Sequence, residues 1–254
     1  MYYMKIGIIG TGAIGGTIAK KLVQAGHEVK VFSNGEKHLL EKRAAELRVK
    51  PATNDDITKN VDVVILSVPT IAIPQLDKKL FTDISKKVIL VDTSNYYPFR
   101  DSEIEELKNG KVESVWVSEQ IGHPVIKAFN NLLAESLANG GKETNADDRI
   151  AMAISGDNEN SKKVVSDLIH DVGFDVVDAG TLSESWRHQP GTPAYCTELN
   201  TAELKQALTA GVKKDTGYLR DLAITKLMER TSPPSHEDIV DFNRSLFPKN
   251  PKIA

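Results

Sequence analysis

The 254-residue chain has a single cysteine, Cys196, and so can form no internal disulfide, which fits a reducing compartment. Cationic excess is missing too. The 32 lysines and arginines face 35 acidic residues, for a formal net charge of -3, which excludes a whole-chain positive field for holding phosphodiester backbones. Nucleic acid is therefore not an expected partner. The longest apolar run, 61–74, is interrupted by Asp62, Ser67, Pro69 and Pro74 and falls short of the roughly 20 residues a membrane helix needs. The residues before Gly10 are too few and too glycine-rich for a signal peptide, so a soluble cytoplasmic protein with no membrane partner is expected. No HExxH, cysteine metal cluster or Ser-His-Asp set is present, so no metal is expected. What remains, with 40% hydrophobic residues, is enough to bury the core of one large α/β domain with or without a smaller appendage.

Apolar runs bounded by turn residues alternate with helical patterns at the spacing of βαβ units, and the runs are continuous, as in parallel strands buried on both faces. A doubly wound, mostly parallel Rossmann-like sheet is expected, with strands at 5–9, 28–32, 61–68, 87–92, 114–117, 125–129, 150–155 and 174–178. The last two imply a sheet that continues beyond residue 145. Ile14, Ile18, Leu22 and Val23 form the buried stripe of the first helix, and Gly26 terminates it. Asn160 or Ser161 is expected to cap a helix at 162–171. After Gly180 the chain turns polar and then helical, so residues 1–182 are read as a nucleotide-binding domain and 183–254 as a C-terminal loop and helical region. Stripes at Leu204 and Leu208 and at Leu219, Leu222, Ala223 and Leu227 mark two helices, and Ser235 caps a last one ending before Pro248. These helices could cap an acceptor site or bury their stripes in a homodimer.

The strongest local signal is Gly10-Thr11-Gly12-Ala13-Ile14-Gly15, because it follows a strand and opens a helix. Gly10 allows the tight turn, Gly12 the approach of a pyrophosphate, and Gly15 the close packing of helix on strand. The helix then offers that pyrophosphate its free amides and positive dipole end. The second strand ends at Ser33-Asn34-Gly35, without the carboxylate that would hold a free ribose 2′-hydroxyl. Ser33 and Asn34 can donate hydrogen bonds to a 2′-phosphate and Lys37 or His38 can add charge, which favours NADP(H) over NAD(H). Asn34 could instead cap a helix at 35–47, and Glu36 could reach a free ribose.

Ser67, Val68 and Pro69 end the third secure strand, and Asn95 follows the fourth, all at the carboxyl edge where open α/β sheets bind ligands. Backbone contact with a dinucleotide is expected at the first place and ribose or carboxamide contact at Asn95; an ordinary loop proline and an Asx turn are the plain alternatives.

With those motifs in place the chain resembles the NADP-dependent oxidoreductases related to the deazaflavin-coenzyme NADPH reductases. The resemblance spans about residues 4–182. It rests on the run 8–15, Ser33-Asn34-Gly35, Val91-Asp92-Thr93-Ser94-Asn95, Lys127-Ala128-Phe129-Asn130, Ser155-Gly156-Asp157 and 177–182. It implies hydride transfer between nicotinamide C4 and a deazaflavin or flavin ring, chemistry the cofactors carry while the protein supplies placement. The family's usual arginine after the second strand is replaced here by Asn34.

Lys127 and Asn130 resemble the Lys-xx-Asn arrangement of β-hydroxyacid dehydrogenases, in which the lysine is an acid. A strand through 125–129 would send the two side chains to opposite faces, leaving Asn130 as a cofactor contact. The segment from Trp186 to Cys196 combines aromatic, cationic and hydrogen-bonding groups suited to a planar small-molecule substrate, or else it is a linker anchored by Trp186. His188 is the histidine best suited to proton transfer. A cofactor-binding sensor without turnover remains the non-enzymatic alternative.

Overall fold

The computed structural model describes residues 3–247. Strands β1 (Lys5–Ile9), β2 (Glu28–Phe32), β3 (Lys50–Pro51), β4 (Val63–Leu66), β5 (Ile89–Asp92) and β6 (Val125–Lys127) form one parallel sheet in the order β3-β2-β1-β4-β5-β6. The order reverses at β1, so β1 and β4 flank a crevice at their carboxyl ends. Helices α1 (Ala13–Gln24), α2 (Lys37–Leu47), α3 (Lys79–Thr82), α4 (Pro98–Asp101), α5 (Glu105–Lys108), α6 (Glu113–Ile121), α7 (Ala134–Asn139) and α8 (Glu159–Asp171) flank the strands or connect them.

Burial follows the periodicity. Ile18, Ala19 and Leu22 of α1 pack with Ile6, Ile8, Val29 and Val31 on one face of the sheet. Trp116, Val117 and Ile121 of α6 pack with Val64, Leu66 and Leu90 on the other. Gly26 ends α1 at φ +92°, a conformation that glycine alone adopts without a side-chain penalty.

Four local expectations are corrected. Residues 114–117 are not a strand but lie in α6, because Ser114, Val117 and Ile121, with Glu113 and Trp116 beside them, share one buried helical face. The β-branched character of Val115 and Val117 gave way to that burial pattern. Asn34 does not cap α2: Glu36 holds that position, without a side-chain bond. Asn158, rather than Asn160 or Ser161, caps α8 by accepting the Ser161 amide at 2.9 Å. The large sheet also stops at β6. Strands β7 (Ala151–Ile154) and β8 (Asp175–Asp178) pair in parallel with each other, tied to β6 by one antiparallel bridge between Lys127 and Ser155.

Beyond the second sheet, a 3-10 segment at Leu182–His188 leads to α9 (Thr201–Ala210), a 3-10 turn at Lys213–Asp215, α10 (Thr216–Met228) and α11 (His236–Ser245). Leu204, Ala207 and Leu208 of α9 share a third core with Ala151, Ala153 and Val177. The expected stripe on α10 is only partly realised, since its buried residues are Thr216, Arg220 and Ala223 while the leucines are half-buried. Ser235 caps α11 in a capping box with Asp238, and the helix ends at Ser245; Pro248 lies outside the described residues. Among the described residues no helix is long and apolar enough to cross a membrane.

Candidate functional site

A cleft of about 340 Å3 opens at the carboxyl edge of β1, β4 and β5, where the strand order reverses. Its floor is the glycine turn. Gly10 sits at φ +104°, and a Cβ there would lie 2.1 Å from the Ser67 carbonyl oxygen; a Cβ on Gly15 would lie 2.1 Å from the Gly10 carbonyl oxygen. Both glycines are thus required by the protein's own backbone. Gly12 differs, since a Cβ there would meet nothing within 4 Å. The space over Gly12 belongs to the cleft, and the first amides of α1, which have no intrahelical acceptors, border it.

Gly12, Ala13 and Ile14 line this cleft together with Ser67, Val68 and Pro69 from the end of β4, Asn95 from beyond β5 and Asn130 from beyond β6. These sequence-selected positions, spread over more than a hundred residues, thus converge on one place. Ser33 and Asn34 follow β2 and Lys37 opens α2; none of the three lines the cleft, and the end of β2 is joined to the glycine turn by the Gly10 amide donating to the Phe32 carbonyl at 2.7 Å. Lys37 is exposed and stands 3.7 Å from Glu41.

Two larger depressions are poorer candidates. One, lined by Asn60, Asp62 and Lys87, lies at the amino edge of the strands, opposite the end where this architecture binds ligands. The other, between Glu113 and Arg220, lies outside the glycine turn.

Several features of the cleft fit a dinucleotide. The open cradle at Gly12 leaves space of the kind a phosphate needs, and the buried Ser94 hydroxyl in the wall has no hydrogen-bond partner. Phe129 and Cys196, both in the wall, hold φ of +60° and +56°, and non-glycine residues in that region concentrate at ligand sites. Leu132, Leu133 and Ala134 add an apolar side.

The sequence reading missed Arg43. Arg43, among the lysines and glutamates of α2, reaches back to donate from Nε to the Thr11 carbonyl at 3.3 Å, and its guanidinium lies beside Gly16. Its remaining partner is Glu46 at 3.0 Å. The available signal was its place next to Ala44 and Leu47, the buried stripe that turns this edge of α2 toward α1. Tyr97 and Arg100 in the cleft wall also carried no local signal.

Lys127 and His188 are both interior. Lys127 is 1% exposed, with Nζ 3.1 Å from Asp92 Oδ2 and also donating to the Ser94 carbonyl. Asp92 further accepts from the Ser114 hydroxyl at 2.7 Å and the Ser94 amide at 2.8 Å. The ion pair thus anchors the loop that carries Ser94 and Asn95 to the cleft. His188 is fully buried, its Nδ1 2.9 Å from Asn130 Oδ1 and its Nε2 2.9 Å from Ser155 Oγ. Burial, with a smaller contribution from the Lys127 charge, pushes its pKa down to about 3, so it is neutral at pH 7 with both nitrogens engaged. Trp186 is a core anchor under the Arg187 guanidinium, while Tyr195 and Cys196 from the same segment do reach the cleft. Burial pushes the Cys196 thiol up to about 12. Among the described residues no group of histidine, cysteine and acidic side chains could hold a metal.

A six-stranded parallel sheet with a glycine turn under a cleft at its switch point defines a dinucleotide-binding protein of the Rossmann class. The chain belongs to the family described as NADP oxidoreductase coenzyme F420-dependent, whose pattern it matches over residues 5–96. It is similar to the Escherichia coli K12 protein YjhV, at 38% identity over 99 residues that make up 39% of this chain and 72% of that one. Among solved structures it resembles the hypothetical protein SMa0349 of Sinorhizobium meliloti, with a TM-score of 0.68 and 28% identity over 79% of this chain and 96% of the other. A candidate F420-dependent NADP-reductase from Arthrobacter sp. FB24 shares the fold, with a TM-score of 0.59 and 22% identity over 72% of this chain and 87% of its own. The family makes this chain an NADP-dependent oxidoreductase.

Proposed function

We propose that this protein is a reductase that binds NADPH across the carboxyl edge of β1 and β4 and passes a hydride to a planar, ring-type acceptor such as a deazaflavin or flavin. The observation that carries the reading is the open cradle above Gly12, at the mouth of a cleft whose opposite wall is apolar and aromatic. Bound NADPH would supply the hydride from C4 of its dihydronicotinamide ring.

The chain's own residues divide the work. Gly10 to Gly15 form the pyrophosphate cradle, the first-turn amides of α1 acting as donors. Ser33, Asn34 and Lys37 stand where a 2′-phosphate would be recognised, and Arg43, beside Thr11, adds the cation that Asn34 does not supply. Ser67, Val68 and Pro69 bound the middle of the cofactor path, and Asn95 and Asn130, whose carboxamides bond to each other, support the wall at its nicotinamide end. Leu132, Leu133, Tyr97 and Tyr195 enclose the acceptor and limit water.

A carbonyl reduction with Lys127 as acid is disfavoured because that ammonium is spent on Asp92 inside the protein. The test is to follow NADPH absorbance while 8-hydroxy-5-deazaflavin, FMN, ferric chelates, cyclic imines and 2-keto acids are added in turn. Turnover with the ring acceptors supports the proposal. Tight binding with no turnover across the panel would favour a cofactor sensor.

A further inference from the structure

Behind the cleft wall runs a hydrogen-bonded chain whose direction can be worked out link by link. Asn130 Nδ2 donates to the His188 carbonyl at 2.8 Å and to Asn95 Oδ1 at 3.0 Å, which fixes the orientation of its amide. Asn130 Oδ1 is therefore an acceptor, so His188, 2.9 Å away, carries its proton on Nδ1 and receives the Ser155 hydroxyl at Nε2. Asn95 Nδ2 donates to the Asn130 carbonyl at 3.0 Å and to Tyr195 Oη at 3.3 Å. The Tyr195 oxygen thus receives a proton from behind. Its own proton goes to Tyr97 Oη, 2.6 Å away, since the adjacent Cys196 sulfur is a weak acceptor. Tyr97 accepts that bond, and its own hydroxyl proton is left without a partner at a half-buried position in the cleft wall.

We infer that Tyr97 presents this proton to the cleft and donates it to the hydride acceptor. This rests on the reductase reading above. When hydride adds to the acceptor ring, the displaced electron pair moves through the ring's conjugated double bonds to a ring nitrogen, which then takes a proton. Tyr97 supplies it as its O–H bond breaks, and water at the open mouth of the cleft reprotonates the phenolate. Arg100, paired with the buried Asp101 at 2.7 Å, stands with its guanidinium carbon 5.4 Å from the centre of the Tyr97 ring and gives the phenolate only a positive field partly offset by that carboxylate. Burial raises the pKa of both tyrosines, so each keeps its proton at neutral pH and Tyr97 gives its proton up only as negative charge forms on the acceptor beside it. The amides and His188 act as positioning residues, because a neutral Nδ1–H imidazole and two oriented carboxamides set the direction in which the phenols point.

The experiment compares wild type, Tyr97→Phe and Tyr195→Phe by three measurements: NADPH affinity by titration, binding of oxidised 8-hydroxy-5-deazaflavin to the NADP+-loaded protein, where no reaction occurs, and turnover with that acceptor. Tyr97→Phe is expected to hold NADPH within about threefold of wild type, to bind the deazaflavin about tenfold more weakly through loss of one hydrogen bond, and to lose roughly 100-fold in kcat. Tyr195→Phe, which frees Tyr97 to turn, is expected to lose about tenfold in kcat. An active wild type matched by Tyr97→Phe in both deazaflavin binding and turnover overturns the donor role alone. A wild type that binds NADPH but reduces no acceptor overturns the reductase reading, and the donor role with it.

Discussion

A methyl group on Gly15 would stand 2.1 Å from the carbonyl oxygen of Gly10, so the glycine turn is closed by its own backbone at one end and open at Gly12 in the middle. Substitutions at the two positions should therefore fail in different ways. Gly15→Ala forces the first turn of α1 away from the loop and is expected to destabilise the protein by about 1–3 kcal/mol, as overpacking does. Gly12→Ala meets no protein atom, so its stability in urea should stay within about 1 kcal/mol of wild type while NADPH affinity falls at least tenfold, by roughly 1.4 kcal/mol or more. Denaturation and cofactor titration on both variants check the contrast.

Arg43 should separate the two nicotinamide cofactors. Arg43→Ala is expected to weaken NADPH binding about tenfold, the size of one charge-assisted hydrogen bond, and to leave NADH binding within about twofold. Equal losses for both cofactors would mean that Arg43 serves to hold the Thr11 carbonyl and not to read the 2′-phosphate.

Much of this was legible in advance, for identifiable reasons. The β1-α1-β2 unit announced itself because Gly10, Gly12 and Gly15 fall between a buried strand and a stripe at Ile14, Ile18 and Leu22, so three independent signals agreed. The carboxyl ends at Ser67 and Asn95 were readable because strands followed by polar or proline-containing turns mark the ligand edge. Pairing between distant elements was not. Ala151–Ile154 reads as a strand in any sheet, and nothing local says that it pairs only with Asp175–Asp178. Tyr97 and Tyr195 meet across 98 residues, and the route from Asn95 to His188 passes through side chains whose neighbours only the fold decides. Arg43 was masked by the charged residues around it.

The Lys127–Asp92 pair is 1% and 0% exposed, so removing one partner leaves an uncompensated buried charge. Lys127→Met is expected to cost about 3–5 kcal/mol in urea denaturation. Turnover normalised to the folded fraction should remain measurable, whereas a complete loss of turnover in stably folded protein would restore Lys127 as the acid.

Two buried groups give stability opposite pH slopes. His188 is depressed from 6.5 to about 3, so its contribution is present above pH 6.5 and is lost as pH falls toward 3. Glu113 is raised by burial from 4.5 to about 7, so its contribution is present below pH 4.5 and is lost as pH rises to 7. In Glu113→Gln the second slope disappears. The variant should gain on wild type by roughly 1.4 kcal/mol for each pH unit between 4.5 and 7. Urea denaturation at pH 5, 6, 7 and 8 checks this, and a difference constant with pH would contradict it.

The most direct test of the cofactor assignment is a titration of the purified protein with NADPH and with NADH under identical salt. The assignment predicts that NADPH binds at least tenfold more tightly and that Gly12→Ala loses this binding while staying folded. Tighter binding of NADH, or NADPH binding unchanged in Gly12→Ala, would contradict it.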